Sequence, residues 1–589
     1  MRRVLTLALA LALALTLTVA VRAELVRPDV AARYAQRVLG MTHTPSLQPD
    51  GVRRATSRDA QADPQYYIFN NPDGGWVIIA ADDRVNPVIA YSDEGAFTTV
   101  GMPDNLRWWM DGVAESIDAV REEGVSLPVR EEWNNPLAGT SGQQKAELQT
   151  ALWDQESPFN NLCPIVTGEN VRSVTGCVAT SMAIIMRYNR WPANGKGVIG
   201  GYTTKTASTY IPPYPIDNHV YNWDDMPRNN SIGAGWTSDQ KNEVAQLMHD
   251  CGVAVEMDYS SKASSSSSGK MLRAIQENMS YSDKSALIAR SSFTLDEWFA
   301  IMKREIDAGR VVYYGGEGDA GGHAFVCDGY DTDGSKLRIN WGWSGSCNGF
   351  YTLDLFIPSD NYGFANNQEA IIGLAPDTAN VVLDYVPSLA FIEHEGLYGI
   401  EPMTPADLVQ GSQFKFHVGW VMNNSLKQVN AEFRIRLEDK DGNIRQEGWN
   451  LSMRIPASDG YIYSDQTNAT KLLVTPELTD HFRLYMKDAA DNWVPMRGNY
   501  DLLPDVDGII CGIVQDPLIM VPDNCVAGQE IELSLTLGFT HIKSIKWSVN
   551  GQELTGNSTV LVKGANNIRA DVEYLDNSTG SLFRTLTVE

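Results

Sequence analysis

The spacing of apolar and polar positions divides the chain into regions with different predicted structure. In the first region, 24–140, Pro28–Val38 and 106–120 have the pattern of amphipathic helices, whereas 66–70, 75–81 and 88–92 have that of strands. Strands that are followed by a covering helix predict a small α+β domain. The polar stretch at 124–144 is rich in proline and glycine, and it predicts an exposed linker that is open to proteolysis.

The second region, 141–376, begins with helical periodicity and ends with strand periodicity. Helices are predicted at 177–188, 238–251, 271–279 and 295–308, and strands at 310–314, 323–330 and 336–343. This order predicts a helical half that packs against a sheet half. A serine-rich stretch at 260–269 interrupts the helices, and it is either a flexible linker or a surface loop over a cleft.

The third region, from 377 onwards, has mostly the alternating pattern of strands. Clear alternation occurs at 431–437 and 530–535, and the turn pairs Asp441-Gly442 and Asn550-Gly551 lie beside strand-like stretches. Two β-sandwich modules are predicted, at 377–504 and 505–589. The predicted fold class of the whole chain is therefore α+β, with β-sandwich modules at its C-terminal end.

The first 23 residues have the composition of a secretory signal peptide. Arg2 and Arg3 precede an apolar run from 4 to 21, and small residues stand at Ala20 and Ala23. The alternative is an uncleaved membrane anchor, but the run is close to the lower length limit for a span. We expect cleavage and export, with no membrane span in the mature protein.

Charge and cysteine content narrow the partners that are expected. The formal net charge of −26 and the pI near 4.7 argue against nucleic acid as a partner. The seven cysteines are an odd number, which is compatible with one reactive thiol in an exported protein. Cys511 and Cys525 lie apart from the others and are candidates to pair with each other. The sequence contains no His-Glu-x-x-His and no Cys-x-x-Cys, so neither a metal nor another cofactor is expected.

Cys177 stands at the start of the most apolar predicted helix. Gly176 precedes it, and Val178, Met182 and Ile185 follow on one face at helical spacing. A thiol in the first turn of a buried helix lies near the positive end of the helix dipole, which favours the nucleophilic thiolate. The alternative is a small buried apolar residue, which is the usual role of a free cysteine.

His323 is the histidine with the most suggestive context in the second region. It follows Gly321 and Gly322 at the start of an apolar strand, where a ligand can approach the backbone closely. A nucleophilic cysteine whose histidine follows about 130–150 residues later has the chain order of papain-like proteases. His219 and His249 lie in a loop and in a helix and have no such context.

A thiolate–imidazolium pair also needs a group that orients the ring and donors for the oxyanion. Asn340 lies on the strand after that of His323, so its amide is a candidate to orient the imidazole, shielded by Trp341 and Trp343. Gln155 lies upstream of the cysteine and is a candidate oxyanion donor. The alternative is that the tryptophans are ordinary core residues and the asparagine belongs to a turn.

The second region resembles peptidase family C10, a family of secreted cysteine proteases. The resemblance covers most of 150–375 and rests on Thr-Gly-Cys-Val-Ala-Thr at 175–180, Ile-Met-Arg-Tyr at 185–188, Met-Asp-Tyr at 257–259, Gly-Gly-His-Ala-Phe-Val at 321–326 and Asn-Trp-Gly-Trp at 340–343. It implies a papain-like fold, with Cys177 as nucleophile and His323 as general acid/base. It also implies that Gln155 contributes to the oxyanion hole and that Asn340, Trp341 and Trp343 support the histidine.

The resemblance extends to substrate contacts and to the first region. Ser265 and Gly322 match positions that contact the substrate backbone. The stretch 90–97 resembles the family's inhibitory prodomain, and Asn105 matches the asparagine with which that prodomain plugs the cleft. The additional cysteines and the modules after 376 depart from the family pattern.

These observations predict a secreted cysteine endopeptidase that is made as a zymogen. Its expected partners are protein and peptide substrates and its own prodomain, which acts as an inhibitor. An alternative is a secreted adhesin or binding protein in which the papain-like domain is inert. A transferase that uses the same pair is a third possibility. Inert relatives usually lose the cysteine or the histidine, and this chain has both.

Overall fold

A computed structural model of the 589-residue chain describes most of the first two regions and separate stretches of the third. The described residues are 25–42, 45–54, 63–102, 104–122, 131–133, 144–229, 235–318, 321–332, 335–352, 368–386, 389–391, 400–402, 413–414, 416–423, 427–439, 441–456, 460–464, 470–474, 480–488, 491–497, 510–512, 519–521, 525–535, 542–574 and 579–588. The predicted signal peptide and most of the predicted linker at 124–144 lie outside them. None of the described helices is long and apolar enough to cross a membrane.

The chain forms two compact units. The first comprises residues up to Arg290 together with Thr294–Asp384, and the second comprises Tyr385–Glu589 with Ser291–Phe293. The helices of the first unit agree with the predicted ones to within a few residues at each end. They are α1 (Pro28–Val38), α2 (Asp104–Glu122), α3 (Cys177–Asn189), α4 (Ser238–Ala254), α5 (Ser268–Glu277) and α6 (Leu295–Asp307), with 3₁₀ turns at Glu131–Trp133, Ile216–Asn218, Trp223–Asp225 and Arg290–Ser292.

Side-chain caps explain where three of these helices begin. Thr237 and Thr294 precede α4 and α6, and each hydroxyl accepts a hydrogen bond from the backbone N–H three residues later, in a capping box. Ser267 caps α5 and starts it three residues before the predicted position. The serine-rich stretch is thus tied to a helix and is not a flexible linker.

The strands of the first unit join the first two regions of the sequence. They are β1 (Ser46–Arg54), β2 (Pro64–Asn70), β3 (Trp76–Ala80), β4 (Val88–Ser92), β5 (Lys145–Glu147), β6 (Val198–Ile199), β7 (Tyr202–Thr203), β8 (Tyr210–Ile211), β9 (Tyr214–Pro215), β10 (Ala286–Ala289), β11 (Val312–Gly318), β12 (Gly321–Asp331), β13 (Lys336–Asn340), β14 (Gly349–Thr352) and β15 (Gln368–Ile372). One antiparallel sheet has the order β1-β2-β3-β4-β14-β13-β12-β11-β15-β10, and β5 pairs with β12.

The two regions meet where β4 pairs with β14. Ala90 lies opposite Tyr351, and Tyr91 lies opposite Phe350. The rings of Tyr91 and Phe350 stack with centroids 5.1 Å apart, and the Tyr91 hydroxyl donates a hydrogen bond to Asp331. The first region therefore folds onto the second as part of one sheet.

Helix α3 lies in the interior of the first unit. Its residues from Val178 to Met186 are all buried, and it packs against α4, α5, β11 and β12. A helix that is apolar on every side is stable only when other elements surround it. Burial of α3 therefore sets the position of its first residue, Cys177, relative to the sheet.

A buried ion pair lies beside this part of the sheet. The Asp328 side chain is fully buried on β12, and Arg338 of β13 donates a hydrogen bond of 2.6 Å to one of its oxygens. Thr150 donates to the other oxygen, and Arg338 also contacts Glu147 at 3.2 Å. Burial raises the pKa of the Asp328 carboxyl, whereas Arg338 and Thr150 oppose that rise.

The second unit consists of strands. They are β16 (Leu389–Phe391), β17 (Ile400–Pro402), β18 (Gln413–Phe414), β19 (Phe416–Asn423), β20 (Val429–Glu438), β21 (Ile444–Ile455), β22 (Gly460–Ser464), β23 (Thr470–Lys471), β24 (His481–Lys487), β25 (Trp493–Pro495), β26 (Ile510–Gly512), β27 (Ile519–Met520), β28 (Glu530–Glu532), β29 (Ser534–Leu535), β30 (Ile542–Val549), β31 (Gln552–Glu553), β32 (Ser558–Val560), β33 (Gly564–Tyr574) and β34 (Thr579–Val588).

Two separate apolar cores lie in the second unit. One includes Phe433 and Leu484, and the other includes Trp547 and Ile568. The division into two β-sandwich modules remains a prediction. The predicted boundary between 504 and 505 lies outside the described residues. Strand β26, beyond that boundary, still pairs with β24 of the first core.

We expect Arg338→Met to destabilise the first unit by about 3–5 kcal/mol at pH 7, because it leaves the buried Asp328 carboxylate without its cation. The loss should shrink as the pH falls toward about 4. Asp328 has a folded-state pKa above its unfolded value, so the protonated form, which needs no cation, favours folding at low pH. Denaturant unfolding at several pH values measures both effects.

The matched control is Arg273→Met. Arg273 is exposed and lies 3.7 Å from Glu256, so its loss should cost less than about 1 kcal/mol. Equal losses in the two variants would contradict the structural role assigned to Arg338.

Candidate active site

Gly176 allows helix α3 to begin in a crowded place. Its φ of +86° lies in the region that favours glycine. A Cβ atom there would lie 2.8 Å from the side chain of Met257 and 2.8 Å from the carbonyl oxygen of Ser264. Because no larger residue fits, the glycine before the cysteine is a requirement of packing as well as of backbone conformation.

Cys177 is the first residue of α3, and it is half-buried. The N-cap residue, Gly176, has no side chain that could accept from the first backbone N–H groups of the helix, whereas α4 and α6 have threonine caps. The positive end of the helix dipole is therefore next to the thiol. Burial raises the pKa of the Tyr313 hydroxyl on β11, and the nearby Cys177 adds to the rise, so this strand lies close to the thiol.

The other thiols described in the first unit have a different environment. Burial raises the pKa of Cys163 to about 12 and that of Cys347 to about 11, and it raises the pKa values of Cys251 and Cys327 as well. These four are buried and form no disulfide. Protonated, buried thiols are poor nucleophiles, so the partly exposed Cys177 is the reactive candidate among them. The suggested Cys511–Cys525 pairing remains a prediction.

His323 is half-buried on β12, opposite Gly316 of β11. The indole of Trp108, on α2 of the first region, lies against the imidazole with ring centroids 5.9 Å apart. The same indole covers Gly316, where a Cβ atom would lie 2.5 Å from the ring. A tryptophan of the first region thus occupies the space beside the histidine.

Asn105 precedes Trp108 on α2 and is buried in the same place. Its side-chain N–H groups donate to the carbonyl oxygens of Trp341, at 2.9 Å, and Ala324, at 3.3 Å. Ala324 follows His323 directly, so the asparagine joins the histidine strand to the Asn-Trp-Gly-Trp stretch. The asparagine is therefore next to the histidine, and its role as the plug of the cleft remains a prediction.

Asn340 bonds the segment that leads to Gln155. Its two side-chain N–H groups donate to Thr150 Oγ1 at 3.0 Å and to the carbonyl oxygen of Ala151 at 2.9 Å, and its Oδ1 accepts from the N–H of Gly342. No N–H of this amide is left for His323. Asn340 lies opposite Val326, and an amide oxygen can accept a second hydrogen bond, so the orientation of the His323 ring by Asn340 remains a prediction.

Trp341 and Trp343 differ in burial. Trp341 is buried and packs on Phe325, with ring centroids 4.8 Å apart, and on Tyr351, at 5.1 Å. Trp343 is half-buried. Trp341 is thus part of the core beside the histidine strand, which was the alternative reading of these residues.

Gln155 lies beside the start of α3. Its carbonyl oxygen accepts a hydrogen bond of 3.1 Å from the N–H of Thr175, two residues before the cysteine. Among the described residues, no hydrogen bond uses its side-chain amide. Gln155 is buried, and its part in the oxyanion hole remains a prediction.

The two expected substrate contacts lie in different surroundings. Ser265 is exposed, and its backbone N–H and C=O both pair with Asp258 in an isolated bridge. Gly322 lies on β12 opposite Glu317, next to His323. Among the described residues, no cluster of histidine, cysteine and carboxylate side chains has the arrangement of a metal site.

Three residues of the site were not identified from the sequence. Trp108 was assigned only to an amphipathic helix, and Asp154 and Ser344 were given no role. The run of tryptophans at 108 and 109 on a helix of the first region was the one available signal. Asp154 and Ser344 bond to each other. They are distant in sequence, so no local pattern could identify them.

We expect Gly176→Ala to lower the free energy of unfolding by about 1–3 kcal/mol because the methyl group clashes with Met257 and the Ser264 carbonyl. This loss adds to the strain of placing alanine at a positive φ. The substitution should also slow alkylation of Cys177 by iodoacetamide, since the helix start must shift. Gly197→Ala is the matched control: its φ is +81° and nothing lies within 4 Å of the added Cβ. Denaturant unfolding and the alkylation rate are measured for both, and equal effects would contradict the packing argument.

Comparison with sequence families gives two matches. The model of the Peptidase C10 family matches residues 153–351, and that of the Spi protease inhibitor family matches residues 23–117. The first match contains the helix of Cys177 and the strand of His323, and the second contains Asn105 and Trp108. The first region is thus an inhibitor-like domain that precedes a peptidase domain.

Comparison with solved structures gives two related chains from Prevotella intermedia. A fragment of prointerpain A is 28% identical, with a TM-score of 0.46, over 56% of this chain and 99% of the fragment. Active interpain A is 32% identical, with a TM-score of 0.35, over 39% of this chain and 95% of that one.

Several curated relatives are more than 30% identical, and they include proteins of Porphyromonas gingivalis and Streptococcus pyogenes. Thiol protease/hemagglutinin PrtT of Porphyromonas gingivalis is 34% identical over 374 residues, which are 60% of this chain and 42% of PrtT. The chain thus spans less than half the length of that relative. Streptopain of Streptococcus pyogenes is 32% identical over 340 residues, which are 53% of this chain and 80% of streptopain. The chain belongs to the peptidase C10 family of cysteine peptidases.

Proposed function

We propose that this protein is a secreted cysteine endopeptidase that is made as a zymogen, with Cys177 as nucleophile, His323 as general acid/base and Gln155 in the oxyanion hole. The observation that carries the proposal is the environment of Cys177, a half-buried thiol at a helix start without a side-chain cap. Such a site stabilises a thiolate, whereas burial raises the pKa of the four other thiols in this unit.

In the proposed reaction the thiolate of Cys177 forms a bond to the scissile carbonyl carbon, and the carbonyl electron pair moves onto oxygen. The side-chain N–H of Gln155 and the backbone N–H of Cys177 donate to this oxyanion. The carbonyl then re-forms, the C–N bond breaks, and the imidazolium of His323 gives its proton to the leaving amine. His323 next deprotonates a water that attacks the thioester, and the cysteine leaves as thiolate.

We assign contacts with the substrate backbone to Ser265 and Gly322. The backbone groups of Ser265 pair with Asp258, so its exposed hydroxyl is the group that contacts substrate. Gly322 precedes His323 and lets an extended peptide approach the strand. Trp341 and Trp343 form the apolar wall behind the histidine, and Asn340 supports the segment that carries Gln155.

Latency follows from the contacts of the first region. Asn105 donates to the carbonyl oxygen of Ala324 on the histidine strand and to that of Trp341 after β13. Trp108 covers His323 and Gly316. A peptide substrate that approaches His323 would need the space of this indole. These contacts support the prodomain as an inhibitor that must leave before catalysis, by cleavage in the linker at 124–144.

We also propose that the precursor is exported. The signal-like segment at 1–23 sends the precursor out of the cell, where its substrates are proteins and peptides. The acidic net charge of −26 argues against nucleic acid as a partner. The reaction as written uses no metal or other cofactor.

Cys177→Ala should abolish peptide hydrolysis, and the precursor should accumulate with the first region attached. N-terminal sequencing of secreted protein, wild type beside the variant, measures the processing. Cys347→Ala is the control, because its buried thiol has no part in the reaction, and it should process normally. Activity that survives in Cys177→Ala would mean that another residue is the nucleophile. A wild-type protein with neither peptide hydrolysis nor thiol labelling at Cys177 would favour the inert binding protein instead.

Trp108→Ala and Asn105→Ala should each unmask the thiol in the uncut precursor. We expect labelling of Cys177 by a fluorescent iodoacetamide to rise about tenfold in the uncut band, since a loss of about 1.4 kcal/mol of prodomain contact has this effect. Glu115→Ala, on the exposed side of the same helix, should leave labelling unchanged. If uncut wild-type precursor hydrolyses peptides as fast as the processed form, the first region is not an inhibitor.

A further inference from the structure

We propose that Asp154 is a positioning residue for Gln155, and that the loop after β13 holds it through Ser344. The inference rests on the proposed oxyanion role of Gln155. It concerns the residues that keep that side chain in place, which the sequence did not identify. The two polar residues are distant along the chain but bond directly to one another.

Asp154 organises the backbone around Gln155. Its Oδ1 accepts a hydrogen bond of 2.6 Å from the N–H of Gln155 and another of 3.2 Å from the N–H of Glu156. An aspartate that accepts from the backbone of the next two residues fixes a turn. The direction in which the Gln155 side chain leaves the backbone is therefore set by its neighbour.

Ser344 holds the carboxylate from the other side. Its Oγ donates to Asp154 Oδ2 at 2.6 Å, and its backbone N–H donates to the carbonyl oxygen of Trp153 at 2.9 Å. Ser344 has a φ of +53°, a conformation that costs a non-glycine residue of the order of 1 kcal/mol or more. Surrounding contacts must hold a residue in such a conformation. The hydrogen bonds of Ser344 to Trp153 and Asp154 are contacts of this kind.

Asn340 holds the beginning of the same segment. Its amide donates to Thr150 Oγ1 and to the carbonyl oxygen of Ala151, and the 3.1 Å bond from Thr175 to the carbonyl oxygen of Gln155 holds the other end. The segment 150–155 is therefore attached at its beginning, middle and end. A donor that must meet a developing oxyanion has to be placed in advance, and this attachment supplies that placement.

The contacts of Asp154 also indicate that it does not act on substrate directly. Both of its oxygens are used on Gln155, Glu156 and Ser344, so it acts through its neighbours. An asparagine at this position keeps the acceptor for the two backbone N–H groups and can donate to Ser344 Oγ. Asp154→Asn is therefore the conservative variant that should retain the function.

The test is a double-mutant cycle on processed enzyme. Each full-length precursor is cut by a trace of affinity-tagged wild-type enzyme, which is then removed. We expect Gln155→Ala to lower kcat by about 10²–10³-fold, as for other oxyanion donors, and Asp154→Ala to lower it by about 10–10²-fold, both with little change in KM. Asp154→Asn should stay within about threefold of wild type, and the exposed neighbour variant Glu156→Ala should match wild type.

The decisive result is the double variant Asp154→Ala/Gln155→Ala. If Asp154 acts through Gln155, the double variant is no slower than Gln155→Ala alone. If the two losses multiply, the inference is overturned. Should Asp154→Ala fail to fold, Ser344→Ala replaces it in the same cycle, with the same two outcomes.

Alkylation by iodoacetamide separates this inference from the proposed function. That reaction attacks a saturated carbon and forms no oxyanion, so Asp154→Ala should alkylate at the wild-type rate. Slowed alkylation would mean that Asp154 supports the thiol and not the amide, and would overturn the inference. An unchanged kcat in Gln155→Ala would remove the oxyanion role itself. Activity in Cys177→Ala would remove the proposed function.

Discussion

The close packing at Gly176 is the constraint on which the site depends. Gly176 has a positive φ, which favours glycine. A Cβ atom there would lie 2.8 Å from the Met257 side chain and from the Ser264 carbonyl oxygen, so only a hydrogen atom fits. The helix that follows is buried from Val178 to Met186, so its first residue cannot move independently of the core. Cys177 is therefore held where the first N–H groups of the helix face it, and the sheet with His323 is packed against the same helix.

The continuous sheet joins the inhibitor-like region to the peptidase region. Strand β4 of the inhibitor-like region pairs with β14 of the peptidase region, and α2 then lies with Asn105 and Trp108 against the histidine strand. The contacts that cover the site are thus of the same kind as those that build the core. Removal of the first region must break strand pairing, aromatic stacking and buried hydrogen bonds together, which is how we propose that a noncovalent contact keeps the precursor latent.

The loop after β13 serves more than one neighbour. The carbonyl of Trp341 accepts from Asn105, whereas Asn340 and Ser344 bond the segment that leads to Gln155. The sequence analysis assigned Asn340 to the histidine because the two lie on adjacent strands. Strand adjacency does not determine the side-chain direction, and the register puts Asn340 opposite Val326, three residues beyond His323. The contact between Asn340 and His323 therefore remains a prediction.

The sequence by itself determined the elements and the family. Helix Pro28–Val38, strand Val88–Ser92 and the helix after Gly176 follow from periodicity and from glycine placement, which are local properties of the chain. Short motifs around Cys177 and His323 sufficed for the family. Only the tertiary structure decided that Trp108 covers His323 and that Ser344 bonds Asp154. These pairs are distant in sequence, and they meet because of packing directions and strand register that no local pattern encodes.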